Sequence, residues 1–123
     1  MKKLLIVDDS NIIRSKIARA IGELGLEIVG MAGNGVDAVA RFRATSPDLV
    51  TMDLTMPEMD GLECIRALRA LDPHVRILVV SALADKATAI QALKEGAQGF
   101  LCKPFSEAEL TEALGELLET EHD

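Results

Sequence analysis

Two periods of apolar and polar positions alternate along the chain. Leu4-Leu5-Ile6-Val7 is a continuous apolar run stopped by two acids, the pattern of a strand buried on both faces. Ile13, Ile17, Ile21 and Leu24 then fall on one helical face, with Arg14, Lys16, Arg19 and Glu23 outside it and Gly25 as the stop. A second strand is predicted over Glu27 to Ala32. A helix opening at Asn34-Gly35 carries Val36 and Ala40 inward, with Phe42 as a further candidate. A third strand follows over Asp48 to Met52, then a loop, then a helix through Leu62, Ile65 and Leu68 that Asp72-Pro73 breaks. Val75 to Val80 reads as the fourth strand and Ala84 to Glu95 as a helix with Ala87, Ile90 and Leu93 inward, capped by Gly96. Gly99 to Cys102 is the short fifth strand. Phe105 to Leu118 is the last helix, its stripe Leu110, Leu114 and Leu117, with Ser106 and Glu109 spaced as a capping box.

Five strand–helix units with short connections imply a parallel sheet covered by helices on both faces through right-handed crossovers. The period does not supply the strand order. The 123 residues suit one domain; no repeat, low-complexity tract or linker interrupts them, and Glu119 to Asp123 is expected to fray. With 49 % hydrophobic residues but no Trp, no Tyr and three Phe, the core must be aliphatic. The net charge of −7, without a local basic cluster, argues against binding to nucleic acid. Cys64 and Cys102 lack metal-ligand spacing, so both are expected to be packed thiols in a reducing cytosol. Four apolar residues before Asp8 are too few for a signal peptide, and no run approaches a membrane span, so a cytoplasmic protein is expected.

In an open parallel sheet, ligands bind beyond the carboxyl ends of the strands. Asp8 and Asp9 follow the first strand, Asp53 the third, Ser81 the fourth and Lys103 the fifth. Taken singly, each has an ordinary role: an N-cap, a loop acid, a turn serine, a surface lysine. Together they bring three carboxylates, a hydroxyl and an ammonium to one edge. Crowded carboxylates repel one another unless a cation joins them, and hard oxygen ligands suit Mg²⁺, with Mn²⁺ as an alternative. A carboxylate can accept a phosphoryl group, while a lysine and a serine can contact its oxygens. The vicinal pair Asp8-Asp9 is the better metal holder. Asp53, alone on its strand, is the better acceptor.

These residues resemble the receiver domain of two-component response regulators. The resemblance runs from Lys3 to about Leu118. It rests on Leu5-Ile6-Val7-Asp8-Asp9, on Asp48 to Asp53, on Met56-Pro57-Glu58-Met59-Asp60-Gly61, on Ser81-Ala82 and on Lys103-Pro104-Phe105. It implies a flavodoxin-like (βα)5 sandwich with strand order 2-1-3-4-5. It further implies Asp53 as phosphoacceptor, with Asp9, Asp53 and the Thr55 main-chain carbonyl as direct ligands of Mg²⁺ and Asp8 acting through a bound water. Ser81 and Lys103 would contact the phosphoryl group, Lys103-Pro104 would be cis, and Phe100, in place of the family's frequent Tyr, would switch with Ser81. Thr55 and Leu83, two residues beyond Asp53 and Ser81, would flank the attacking water and tune phosphoryl lifetime.

By the same resemblance the input is a histidine kinase or phosphotransfer protein, and the domain catalyses only its own phosphorylation and dephosphorylation. No output domain follows the fifth helix, so the expected output is a protein partner on the face of helix four, strand five and helix five. The stretch Thr51 to Gly61 resembles the chemotaxis type; a phosphorelay shuttle is the alternative. Three other readings fit less well. An Asp-nucleophile phosphatase would want a second acid where Thr55 stands, and a flavin carrier would want aromatics and a phosphate loop. A phosphorylation-independent interaction module would have no use for the five strand-end residues.

Overall fold

The computed structural model describes residues 1–56, 59–82 and 85–119, the side chain of Glu23 excepted. The expectations for Pro57, Glu58, Leu83, Ala84 and the tail beyond Glu119 lie outside the described residues. In chain order the elements are β1 (Lys2–Val7), α1 (Asn11–Ala20), a 3₁₀ segment (Ile21–Leu24), β2 (Leu26–Ala32), α2 (Gly35–Thr45) and β3 (Leu49–Met52). Then come α3 (Gly61–Leu71), β4 (Arg76–Ser81), α4 (Lys86–Glu95), β5 (Gly99–Cys102) and α5 (Glu107–Glu119). All strand pairs are parallel, in the order β2-β1-β3-β4-β5 expected of a flavodoxin-like sheet.

The continuous apolar runs split between two cores by strand parity. Leu5, Val7, Val50, Met52, Ile77 and Val79 face α2, α3 and α4, meeting Ala38, Phe42, Cys64, Ile65, Leu68 and Ala92. Leu4, Ile6, Leu49, Leu78 and Val80 face α1 and α5, meeting Ile17, Ile21, Leu110, Leu114 and Leu117. Strand order reverses between β1 and β3, because the chain winds outward to β2 and then back across β1. The site must therefore lie at the carboxyl ends of these two neighbours.

Local signals set the helix ends. Ser10 accepts a hydrogen bond from Ile13 N at 3.3 Å, Asn34 from Asp37 N at 2.8 Å and Asp60 from Glu63 N at 2.9 Å. Ser106 and Glu109 form the reciprocal capping box, at 3.1 and 2.9 Å. Gly25 takes the left-handed conformation (φ 68°) that turns the chain from the 3₁₀ segment into β2.

Several expectations are corrected. On α2 the inward residues are Ala38 and Phe42; Val36 is 50 % exposed and Ala40 is exposed. On α4 Ala92 alone is buried, whereas Ala87, Ile90 and Leu93 face outward. Cys64 is buried, its thiol pushed up to about 12 by desolvation and then by Asp60, but Cys102 is exposed. Arg14 and Lys16 are half-buried and bonded to backbone carbonyls rather than pointing into solvent. Among the described residues no helix is long and apolar enough to cross a membrane.

Candidate functional site

The backbone brings two strand ends side by side. Asp53 N donates to Val7 O at 2.9 Å and Asp8 N to Ala32 O at 3.0 Å, so β2, β1 and β3 remain in register one residue beyond the strands. The Asp8 and Asp53 carboxyl groups thus emerge together. Both are buried, at 1 % and 4 % exposure, while Asp9 is exposed beside them. Carboxylate oxygens of Asp8, Asp9 and Asp53 all lie within 4.8 Å of one another. Ser10 caps α1, which leaves Asp9 available to this cluster.

Each buried acid is oriented separately. Asp8 Oδ1 accepts from Ser10 N at 2.9 Å, and the Asp8 main-chain carbonyl accepts from Arg14. Asp53 Oδ1 accepts from Thr55 N at 3.4 Å, which brings the Thr55 main chain against this carboxylate. Lys103 reaches in from the other side, its Nζ 2.8 Å from Asp8 Oδ2 and 3.6 Å from Asp53 Oδ1. Lys103 N donates to Ser81 O at 2.9 Å, fixing the end of β5 to the end of β4, and the Lys103–Pro104 peptide is cis. Ser81 is fully buried and pairs in register with Cys102. Phe100, half-buried, pairs with Val79 and packs against the core under α2, α3 and α4.

Two further residues support the cluster. Gly61 opens α3 directly over the end of β3: a Cβ there would lie 2.3 Å from Asp53 O and 2.5 Å from Leu54 Cα. Only glycine permits that approach. Arg14 lies outside the apolar face of α1, as its helical position predicts, yet its guanidinium bonds back to the Asp8 carbonyl at the end of β1.

The electrostatics are those of an under-neutralised anionic cluster. Burial, followed by the charge of Asp8 and, least, that of Asp9, raises the Asp53 carboxyl to about 6, against the lowering effects of Lys103 and the Thr55 N–H bond. One ammonium faces three carboxyl groups. The remaining negative charge and the all-oxygen donor set fit a small hard dication such as Mg²⁺.

Comparison with known proteins agrees with this geometry. The response regulator receiver domain family matches residues 4–115. The chemotaxis protein CheY of Thermotoga maritima is 41 % identical over 116 residues, covering 94 % of this chain and 97 % of that protein. CheY of Listeria monocytogenes is 41 % identical over 114 residues, covering 93 % and 96 %. Among solved structures, the CheX–CheY–BeF3–Mg²⁺ complex from Borrelia burgdorferi superposes with a TM-score of 0.92 at 29 % identity, covering 95 % of this chain and 89 % of that one. The sheet order, the acidic strand ends and these matches lead to one assignment: the chain belongs to the response regulator receiver domain family, of the CheY-like kind.

Proposed function

We propose that this receiver domain is a phosphorylation switch in which Asp53 accepts a phosphoryl group from a histidine kinase or phosphotransfer protein. The observation that carries this reading is the buried Asp53 carboxyl at the sheet's switch point, grouped with Asp8 and Asp9 and faced by Lys103. An Asp53 oxygen bonds to phosphorus as the phosphorus–nitrogen bond of the donor breaks, and the nitrogen leaves with the electron pair. The reaction needs the ionised carboxylate, which Lys103 favours and burial opposes. Asp9, Asp53 and the Thr55 carbonyl would hold Mg²⁺ (or Mn²⁺), with Asp8 acting through water, and the bound cation would supply positive charge to the phosphoryl oxygens. Lys103 contacts one of those oxygens and Ser81 another. The domain's chemistry is confined to its own aspartate.

Output passes through Ser81 and Phe100 to a protein partner on the α4–β5–α5 face. The exposed Ile90 (43 %) and Leu93 (50 %) on α4 support a docking surface there. The likeness to chemotaxis proteins supports a motility pathway and a cytoplasmic site of action. The test is incubation with phosphoramidate, with the intact mass followed in Mg²⁺ and in EDTA. One phosphoryl group should add in Mg²⁺ and none in EDTA. No addition in either condition would sink the proposal.

A further inference from the structure

We propose that Lys16, on α1, is a positioning residue for Lys103, holding the β5–α5 connection so that the Lys103 ammonium stays over the acidic cluster. The inference rests on the reading of Asp53 as phosphoacceptor and of Lys103 as a phosphoryl contact.

Lys16 lies far from the β5–α5 connection in sequence, yet its Nζ donates to the main-chain carbonyl of Phe105 and sits 4.5 Å from the centroid of the Phe105 ring. Phe105 is buried among Ile17, Ile21, Leu110 and Leu114, so the ring is clamped between α1 and α5. Its carbonyl is not used by the following helix: Leu110 N donates to Ser106 O and Glu109 N to Ser106 Oγ. The Phe105 carbonyl therefore takes its hydrogen bond from outside α5, and the donor is a charged group. Such a bond is roughly twice as strong as a neutral one, and the ring face adds a cation–π attraction to the same ammonium.

The connection is then held at three points. Lys103 N is tied to Ser81 O at 2.9 Å, Ser106 is tied into the capping box, and Phe105 between them is tied to α1 by Lys16. Lys103 ends in a compact charge on a flexible stem, so its placement at 2.8 Å from Asp8 and 3.6 Å from Asp53 depends on where its main chain is fixed. Of these three ties, only the one at Phe105 crosses to α1, the helix that begins beside Asp8 and Asp9. Lys16 thus sets the distance between the metal-holding strand end and the lysine that faces it.

The experiment measures labelling rates with phosphoramidate and saturating Mg²⁺ for wild type, Lys16→Met, Lys16→Arg, Lys103→Ala and the Lys16→Met/Lys103→Ala double variant. Met keeps the aliphatic stem over the Phe105 ring and removes the donor; Lys16→Gln is a second truncation should the Met variant fail to fold. Lys16→Met is expected to slow labelling about fivefold to tenfold, from loss of a charge-assisted bond and of alignment. Lys16→Arg should return the rate to within about twofold of wild type, because it restores the cationic donor. In the Lys103→Ala background the Lys16→Met change should alter the rate by less than about twofold, since two residues acting through one group are not additive. An unchanged rate in Lys16→Met, or the same loss in both backgrounds, would overturn the proposal; the second result would mean that the Lys16 charge acts directly or through general stability. Absence of label in the wild type would instead overturn the reading of Asp53.

Discussion

Replacing Asp53 by Asn removes a charge that the metal-free fold holds at a cost. The carboxyl is 4 % exposed and has Asp8 beside it, and its pKa rises from 3.8 to about 6. The folded state therefore binds this proton more tightly than the unfolded chain does. Below about pH 4 both states are protonated and the charge has no effect. Between pH 4 and 6 the unfolded chain loses its proton first, so stability falls as pH rises, and above pH 6 the full cost is present. A shift from 3.8 to about 6 corresponds to at most about 3 kcal/mol, and water reaching the edge of the site reduces it, so about 1–3 kcal/mol is expected. Asn has nearly the same shape and no charge, and it leaves the Lys103–Asp8 pair in place. In EDTA, urea unfolding followed by circular dichroism should show Asp53→Asn more stable than wild type by that amount at pH 7. The two should converge near pH 4. An Asp53→Asn protein that is less stable at pH 7, or a difference constant from pH 4 to 8, would refute the assignment of Asp53 as a destabilising buried charge.

Three further outcomes follow from the same geometry. Gly61→Ala would drive a methyl group to 2.3 Å from Asp53 O, so it should cost about 1–3 kcal/mol in urea unfolding and slow phosphoramidate labelling by displacing the acceptor strand end. Mg²⁺ should raise the wild-type thermal midpoint, because the carboxylate cluster is assembled only in the folded state; Asp9→Ala, which removes the exposed carboxylate of that cluster, should weaken the rise without lowering the metal-free midpoint. Ile90→Lys with Leu93→Lys on α4 should leave stability within about 0.5 kcal/mol per site, while abolishing any partner binding that beryllofluoride induces. Loss of folding in that double variant would show that the two side chains are core.

The strands and the strand-end chemistry were legible in the sequence because their signals are categorical. A four-residue apolar run cut off by Asp8-Asp9 leaves little choice of element, and each site residue follows directly on such a run. Helix faces were harder to read. On α4 apolar residues occupy most of the circumference, and the largest of them, Ile90 and Leu93, suggested the inward stripe. The surface presented to the core instead admits the small Ala92. On α2 the same bias favoured Val36 over Ala38. Burial of a helix is decided by what fits against its neighbour, which residue size alone does not reveal.

Charged residues misled in the opposite direction. Arg14 and Lys16 read as solvent-facing, yet their long stems run along the protein and their heads reach the carbonyls of Asp8 and Phe105. Phe105 lies 89 residues from Lys16, so no local period could bring them together. Nor could spacing reveal that Gly61 meets the backbone of Asp53, a contact across a loop. Cys102, the last residue of β5, is exposed, which the apolar character of a thiol does not reveal.

The most direct measurement locates the phosphoryl group. After reaction with acetyl phosphate and Mg²⁺, borohydride reduction converts an aspartyl phosphate to homoserine, and peptide mapping reads its position. Homoserine at position 53 alone, absent when EDTA replaces Mg²⁺, is the expected result. Homoserine at position 8 or 9, or none at any position, would contradict the central claim that Asp53 is the acceptor.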